Sequence, residues 1–102
     1  MIHVIATIRV APGRRPDFLA AFRELLPQVK AEKGCIEYGP TIDIESGLAP
    51  QPPIRNDVVT VVEKWDDLES LKRHLTAPHV SQFLAGSKDL LAGLEIQVLS
   101  PA

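Results

Sequence analysis

The segment from residue 57 to residue 65 constrains the fold of this chain more than any other. Its side chains alternate as those of a β-strand do, and valines occupy both sides of the alternation. Val59 and Val61 point to one face, whereas Val58 and Val62 point to the other. A strand that is apolar on both faces must be covered on both, so this segment is predicted to lie in the middle of a sheet.

A strand and a helix are predicted before this segment. Residues 2–10 alternate as a first strand, which a proline–glycine turn ends. An amphipathic helix follows, opened by Pro16, and its apolar stripe consists of Phe18, Phe22, Leu25 and Val29. Pro27 lies within this run and predicts a kink or a shortened helix, because proline has no N–H to donate. Gly34 predicts the end of the helix.

A weaker strand and a loop are predicted between this helix and the central strand. Residues 35–44 predict a second strand, and Pro40 restricts it to the edge of the sheet or to a bulge near Gly39. Residues 45–56 contain one glycine and three prolines, which predicts a loop. This loop is interpreted as a lid, a subunit contact or a surface insertion.

Two helices and a strand are predicted to complete the chain. Asp66 is predicted to cap the first helix, with Glu69 in the capping-box position. The predicted buried stripe of this helix consists of Leu68, Leu71 and Leu75. Pro78 starts the last helix and Gly93 ends it, and its apolar residues are Val80, Phe83, Leu84, Leu90 and Leu91. Residues 94–98 alternate as the closing strand.

The predicted order of elements is β-α-β-β-α-α-β. This is the order of a ferredoxin-like, split β-α-β fold of the α+β class with an antiparallel sheet. The chain has 102 residues, enough for one core, and a single domain over residues 1–102 is predicted. The helices of one chain cover only one face of such a sheet. The other face still carries Ile5 and one set of valines, so we expect a second copy to cover it in a homodimer.

Composition and charge exclude several classes of partner. Hydrophobic residues make up 45% of the chain and charged residues 24%, as in soluble globular proteins. The formal net charge is −2 and no basic run exceeds Arg14-Arg15, so we expect no nucleic-acid or membrane binding. No apolar stretch approaches the ~20 residues that span a bilayer. The chain starts without a signal-peptide pattern and has a single cysteine, which predicts a cytoplasmic location.

The three histidines do not form a metal-binding pattern. His74 and His79 are five residues apart with a proline between them, whereas zinc-binding histidines of the HExxH type are four apart on one helix face. No cysteine or carboxylate completes a tetrahedral set at a familiar spacing. The chain also lacks the GxGxxG and P-loop motifs. Neither a metal nor any other cofactor is expected.

Three short motifs are notable for their order and spacing. They are EKGCIEY at residues 32–38, EKW at residues 63–65 and HLTAPH at residues 74–79. Together they resemble the antibiotic biosynthesis monooxygenase (ABM) family, and the resemblance extends from Ile2 to about Leu99. It implies a small domain of the dimeric α+β barrel type, within a family that includes quinol and anthrone oxygenases.

The resemblance makes His74 and Tyr38 the catalytic candidates. The sequence pattern places His74 at the edge of the apolar stripe, half exposed, and an imidazole can move protons near neutral pH. The alternative is a histidine that is only solvated or hydrogen-bonded. Tyr38 offers a phenol that can donate to a substrate oxygen, or it is a half-buried aromatic residue of an edge strand.

Four further residues are candidates for substrate binding. His79 lies in the first turn of the last helix, where it either anchors a ligand oxygen or packs on Phe83. Trp65 forms an apolar wall together with Phe83, or it fills the core. Glu63 shares a strand face with Trp65 and is expected to pair with a lysine or arginine, with substrate contact as the alternative.

Two more residues receive structural interpretations. Cys35 is interpreted as a core residue, since no basic neighbour in sequence would lower the pKa of its thiol. Arg9 is interpreted as one half of a surface ion pair, with steering of an acidic group as the alternative.

These residues support three hypotheses of function. The first is a cofactor-free monooxygenase that oxidises a small quinol, phenol or anthrone with O₂, because such substrates pass an electron to O₂ once deprotonated. Haem degradation is disfavoured, since haem-degrading relatives use an asparagine on the first strand where this chain offers Thr7. The second is an isomerase of the quorum-signal type, which needs a basic phosphate site. The third is a non-catalytic ligand-binding domain on the same scaffold.

Overall fold

The computed structural model describes all 102 residues and contains three helices and four strands. In chain order the elements are β1 (Ile2–Val10), α1 (Arg15–Lys30), β2 (Cys35–Thr41), β3 (Val58–Trp65), α2 (Leu68–Leu75), α3 (Pro78–Gly86) and β4 (Leu91–Leu99). The strands form one antiparallel sheet in the order β2-β3-β1-β4. The predicted ferredoxin-like α+β fold is therefore confirmed.

The central position of β3 follows from its two apolar faces. It pairs with β2 on one side and with β1 on the other. Val59 and Val61 are fully buried beneath the helices, opposite Ile8 and Ala6 of β1. Val62 points to the opposite face of the sheet and is 37% exposed. One face of the sheet thus forms the core, and the other is uncovered.

Helix α1 buries the predicted stripe and is not broken by its proline. Phe18, Phe22, Leu25 and Val29 are all buried. The helix continues past Pro27 to Lys30, and the N–H of Ala31 still donates to the Pro27 carbonyl oxygen at 3.2 Å. The helix therefore does not break at Pro27, because burial of the stripe outweighs the one backbone bond that proline removes, but it ends at Lys30, before the predicted stop at Gly34.

Strand β2 lies at the edge of the sheet, as predicted, but its irregularity is elsewhere. The register shifts between Cys35 and Glu37 and not near Gly39 and Pro40. The strand also ends at Thr41, three residues earlier than predicted. The segment from there to β3 is irregular. An ion pair between Arg55 and Asp43, with a nitrogen–oxygen distance of 2.9 Å, joins its two ends.

Helix α2 is rotated relative to the prediction. Its N-cap is Asp67, whose side chain accepts from the Ser70 N–H, so the predicted Asp66 cap was wrong. Leu68 and Leu75 are about half exposed. The buried residues are Ser70, Leu71 and His74. The helix therefore turns a partly polar face toward the sheet.

The last helix is shorter and the last strand longer than the sequence predicts. Helix α3 ends at Gly86, a turn follows, and Leu91 already belongs to β4. The helices leave β4 largely uncovered. Leu94, Ile96 and Val98 pair with core residues of β1 and lie on the helix side, yet they are 39–52% exposed. None of the helices has the length and apolar character required to cross a membrane.

Candidate active site

A pocket opens between the core face of the sheet and the three helices. Its volume is about 90 Å³, and twelve of its fourteen lining residues are hydrophobic. The two others are Glu63 from β3 and His74 from α2, and the Tyr38 phenol of β2 joins them. On its open side the pocket meets Leu94 and Ile96 of β4. An apolar chamber thus contains three groups that can exchange or share protons.

His74 is buried, not half exposed as predicted. Only 4% of the residue is accessible, because the rotation of α2 turns it toward the sheet. Its ring lies against two aromatic rings, with centroids 5.3 Å from Tyr38 and 4.8 Å from Trp65. The imidazole is therefore held between helix and sheet with little freedom to rotate.

Glu32 is the site residue that the sequence analysis missed. It lies in the turn between α1 and β2, and its Oε2 atom is 2.8 Å from His74 Nδ1 and 2.8 Å from His79 Nε2. An ionised carboxylate only accepts, so each of these ring nitrogens donates an N–H to it. In a neutral His74 the proton is then on Nδ1, and Nε2 carries a lone pair that can accept a proton.

The turn that carries Glu32 approaches α2 closely, and Gly34 makes this possible. Gly34 has φ +87°, and a Cβ added at this position would overlap the Ser70 side chain. The Gly34 carbonyl oxygen also accepts from the Asp66 N–H at 2.8 Å. Only glycine both adopts this φ without strain and leaves room for the helix.

Glu63 is buried and does not pair with a basic side chain, so that prediction was wrong. Its Oε1 atom accepts from the indole N–H of Trp65 at 2.9 Å. The neighbouring Lys64 points away and pairs with Glu37 on the outer face. Burial raises the pKa of Glu63 to about 7, although the bond from Trp65 lowers it in part. The carboxyl group is thus substantially protonated near neutral pH.

Tyr38 is buried despite its position on an edge strand. It is 8% exposed and stacks on Phe22 with ring centroids 5.8 Å apart. Burial, followed by the charges of Glu63 and Glu32, raises the pKa of the Tyr38 phenol far above its usual range. The phenol therefore stays neutral and remains a hydrogen-bond donor.

Phe83, Trp65 and His79 occupy different positions around the pocket. Phe83 lines it and packs edge-to-face on Phe22. Trp65 is fully buried behind Glu63, and His79 lies on the far side of Glu32; neither lines the pocket. The structure thus brings His74, Tyr38, Glu63 and Phe83 together, with Trp65 packed directly behind them and His79 separated from His74 by Glu32.

The two structural interpretations agree with the contacts. Arg9 forms an exposed ion pair with Glu95 at 2.9 Å, as predicted. Burial, followed by the charge of Glu32, raises the pKa of the Cys35 thiol, which disfavours a nucleophilic thiolate. No group of three or more His, Cys, Asp or Glu side chains is arranged to hold a metal ion.

Comparison with known proteins agrees with this architecture. The family model described as "Antibiotic biosynthesis monooxygenase" matches residues 1–86. The chain is 32% identical over 103 residues to the Escherichia coli (strain K12) protein named "Probable quinol monooxygenase YgiN", covering 99% of this chain and 98% of that protein.

Solved structures show the same fold. PA3566 from Pseudomonas aeruginosa superimposes with a TM-score of 0.80 at 28% identity, covering 99% of this chain and 93% of the other. A conserved protein from Methanosarcina mazei Go1 shares the fold with a TM-score of 0.82 at 24% identity, covering 99% and 92%. Fold, motifs and family match therefore agree: the chain belongs to the antibiotic biosynthesis monooxygenase family.

Proposed function

We propose that this protein is a cofactor-free monooxygenase that oxidises a small quinol or related phenol with O₂. The observation that supports this most directly is a buried imidazole, fixed by a carboxylate, at the wall of an otherwise apolar pocket. The similarity to a protein named as a quinol monooxygenase points to the same substrate class.

The proposed reaction needs no group beyond the substrate and O₂. His74 Nε2 takes the phenolic proton, and the resulting anion is electron-rich enough to reduce O₂. For a hydroquinone, one oxygen atom enters the ring and the other leaves as water, so that the products are a hydroxyquinone and H₂O. The substrate supplies all four electrons. The protein contributes proton transfer, desolvation and stabilisation of the anion.

Glu63 and Tyr38 are proposed to stabilise that anion. A protonated carboxyl and a neutral phenol both donate hydrogen bonds, and in an apolar pocket such bonds are stronger than in water. Trp65 contributes indirectly, since its indole N–H holds one oxygen of Glu63. Phe83 and Phe22 supply the apolar wall against which an aromatic ring packs.

The pocket also constrains how a substrate fits. Its volume of about 90 Å³ is smaller than the ~150 Å³ cavity that holds benzene in an engineered protein. A bound ring must therefore use the open side along Leu94 and Ile96, or displace a side chain such as Leu84. No lysine or arginine lines the pocket, which disfavours the phosphate-bearing substrate of the isomerase hypothesis.

Oxygen consumption with a panel of quinols tests the proposal. We expect one O₂ consumed per quinol, no requirement for added flavin or metal, and a hydroxyquinone product identified by mass. Ligand binding without O₂ uptake would instead support the non-catalytic hypothesis. Carbonyl isomerisation without O₂ uptake would support the isomerase. The protein variant His3→Gln, altered on the uncovered side of β1, is the matched control for histidine substitutions.

We also propose a homodimer. The uncovered sheet face carries Ile5 and Val62, and the exposed residues of β4 add a second apolar surface. A second copy of the chain is the partner that these surfaces fit most simply.

A further inference from the structure

Glu32, His74 and His79 form a chain of contacts from the pocket to the surface. One oxygen atom of Glu32 joins two imidazoles that come from different helices. The exposed fraction of the side chain rises along this chain, from 5% at His74 to 13% at Glu32 and 21% at His79. His74 lines the inner pocket, whereas Glu32 and His79 each line a separate surface cleft.

One carboxylate can balance only one positive charge. If His74 and His79 were both imidazolium ions, the second charge would lie in a largely buried cluster without compensation, which is costly. No other carboxylate lies within ion-pairing distance of either histidine; Glu24 shares a surface cleft with His79 but does not pair with it. Glu63 is substantially protonated near neutral pH, and Tyr38 and Cys35 are uncharged there.

Two positive groups on the outer side of Glu32 make a second imidazolium still less favourable. Lys33 and Arg73 line the same surface cleft as Glu32 and are both positive. Arg73 also donates to the Ser70 hydroxyl beside the Glu32 turn at 3.1 Å. The cluster therefore favours one imidazolium ion at a time, and His79, the more exposed of the two histidines, is the one that can pass a proton directly to water.

We propose that Glu32 couples the two histidines as a proton-exchange unit, so that His74 gains a proton as His79 releases one. This builds on the proposed function, which supplies the proton from the substrate hydroxyl to His74 Nε2. A different proton then leaves His79 Nδ1 for water, and the total charge of the cluster stays constant. No proton has to pass through the carboxylate. Glu32 acts as a positioning residue that holds the shared countercharge.

Imidazole ¹⁵N NMR titration tests the coupling without any turnover. We expect His74 Nδ1 to be protonated across the titration and the two histidines to titrate in coupled steps. Replacing His79 (His79→Gln) removes the competitor for Glu32, so the titration of His74 should move to higher pH by about one unit or more. Glu32→Gln removes the countercharge and should move it in the opposite direction. If His74 titrates at the same pH in the wild type and in both variants, the proposal is wrong.

Kinetics test the role of the coupling in catalysis. His74 must be neutral to accept a proton, so the acidic limb of the kcat/KM profile should move up in pH in His79→Gln and down in Glu32→Gln. If Glu32→Gln fails to fold, Glu32→Asp takes its place: it keeps the carboxylate, so His79→Gln should still move the acidic limb up in pH in that background. The control His3→Gln should leave the acidic limb at its wild-type pH. If Glu32 has a purely structural role, Glu32→Gln should lower the melting temperature and leave the acidic limb at its wild-type pH.

The experiments distinguish failure of the proposed function from failure of the proton-exchange unit. If no quinol is oxidised but the NMR titrations are coupled, the proposed function is wrong and the exchange unit stands. If quinol is oxidised and the two histidines titrate independently, the exchange unit is wrong and the proposed function stands.

Discussion

At the scale of single residues, the burial of His74 decides what its replacement should do. If His74 is the proton acceptor, His74→Gln should lower turnover by about 10²–10⁴-fold, the usual range for general acid–base groups. Because the imidazole is buried and bonded to Glu32, stability should fall as well, by about 1–3 kcal/mol. Oxygen uptake per folded molecule, with urea unfolding beside it, separates the two effects. Full turnover in a folded variant would remove His74 from the mechanism.

Glu63 predicts a pH dependence of stability. Its folded pKa of about 7 exceeds its ordinary value of 4.5, so the folded protein retains a proton that the unfolded chain releases. The contribution of this carboxyl to stability is therefore complete below about pH 4.5 and is lost as pH rises through 7. Glu63→Gln should gain stability relative to wild type over that window, by roughly 3 kcal/mol. Urea unfolding of both proteins between pH 5 and 8 checks this, and parallel curves would contradict it.

Residue-scale inference from sequence failed where contacts join distant parts of the chain. Glu32 is 42 residues from His74 and 47 from His79, and no local pattern connects them. A glutamate in a turn is ordinarily solvated, so its place in the EKGCIEY motif was the only available signal. Glu63 was misjudged for a related reason, since its partner is an indole N–H and not a positive charge.

At the scale of elements, Gly34 predicts how tightly the Glu32 turn and α2 depend on each other. Gly34→Ala should destabilise the protein through both strain at φ +87° and overlap with Ser70. Gly13→Ala is the matched control, since Gly13 has φ +76° with nothing within 4 Å of an added Cβ. We expect a larger loss of unfolding free energy at Gly34, by more than about 1 kcal/mol, together with lower activity.

A double variant completes this test. Gly34→Ala combined with Ser70→Gly removes the overlap and leaves the strain. Because Ser70→Gly alone loses the hydroxyl bond to Asp67, the comparison is with that single variant: in its background Gly34→Ala should cost less than it does in the wild-type protein. Equal destabilisation of Gly34→Ala and Gly13→Ala would show that the close approach is not what requires glycine.

Periodicity predicted the elements well wherever burial follows hydrophobicity. The stripe of α1 and the strand β3 are such cases, because their apolar residues are stable only when they are buried against a neighbouring element. Helix α2 is the exception: it exposes Leu68 and Leu75 and buries Ser70 and His74. Hydrogen bonds to Asp67 and Glu32 make these polar residues stable inside, and such bonds are not visible in a hydrophobic pattern.

At the scale of the whole molecule, the uncovered sheet face predicts self-association. Val62→Lys would place an unpaired charge in a sheet-to-sheet interface, at a cost of several kcal/mol, and should yield a monomer. Ile96→Lys alters the other exposed apolar surface, on the helix side of β4, and is the matched comparison. Sedimentation or light scattering across micromolar concentrations measures the outcome. A dimer that survives Val62→Lys but not Ile96→Lys would place the interface on the helix side.

The bond between Trp65 and Glu63 gives the molecule a built-in optical probe. Trp65 is the only tryptophan in the chain, and it is fully buried. Its indole N–H is held by a carboxyl group that changes protonation near neutral pH and faces the pocket. Neutral and ionised carboxyl groups affect indole emission differently. The intrinsic fluorescence of this protein should therefore follow both the pH of the medium and the arrival of a ligand, with no label attached.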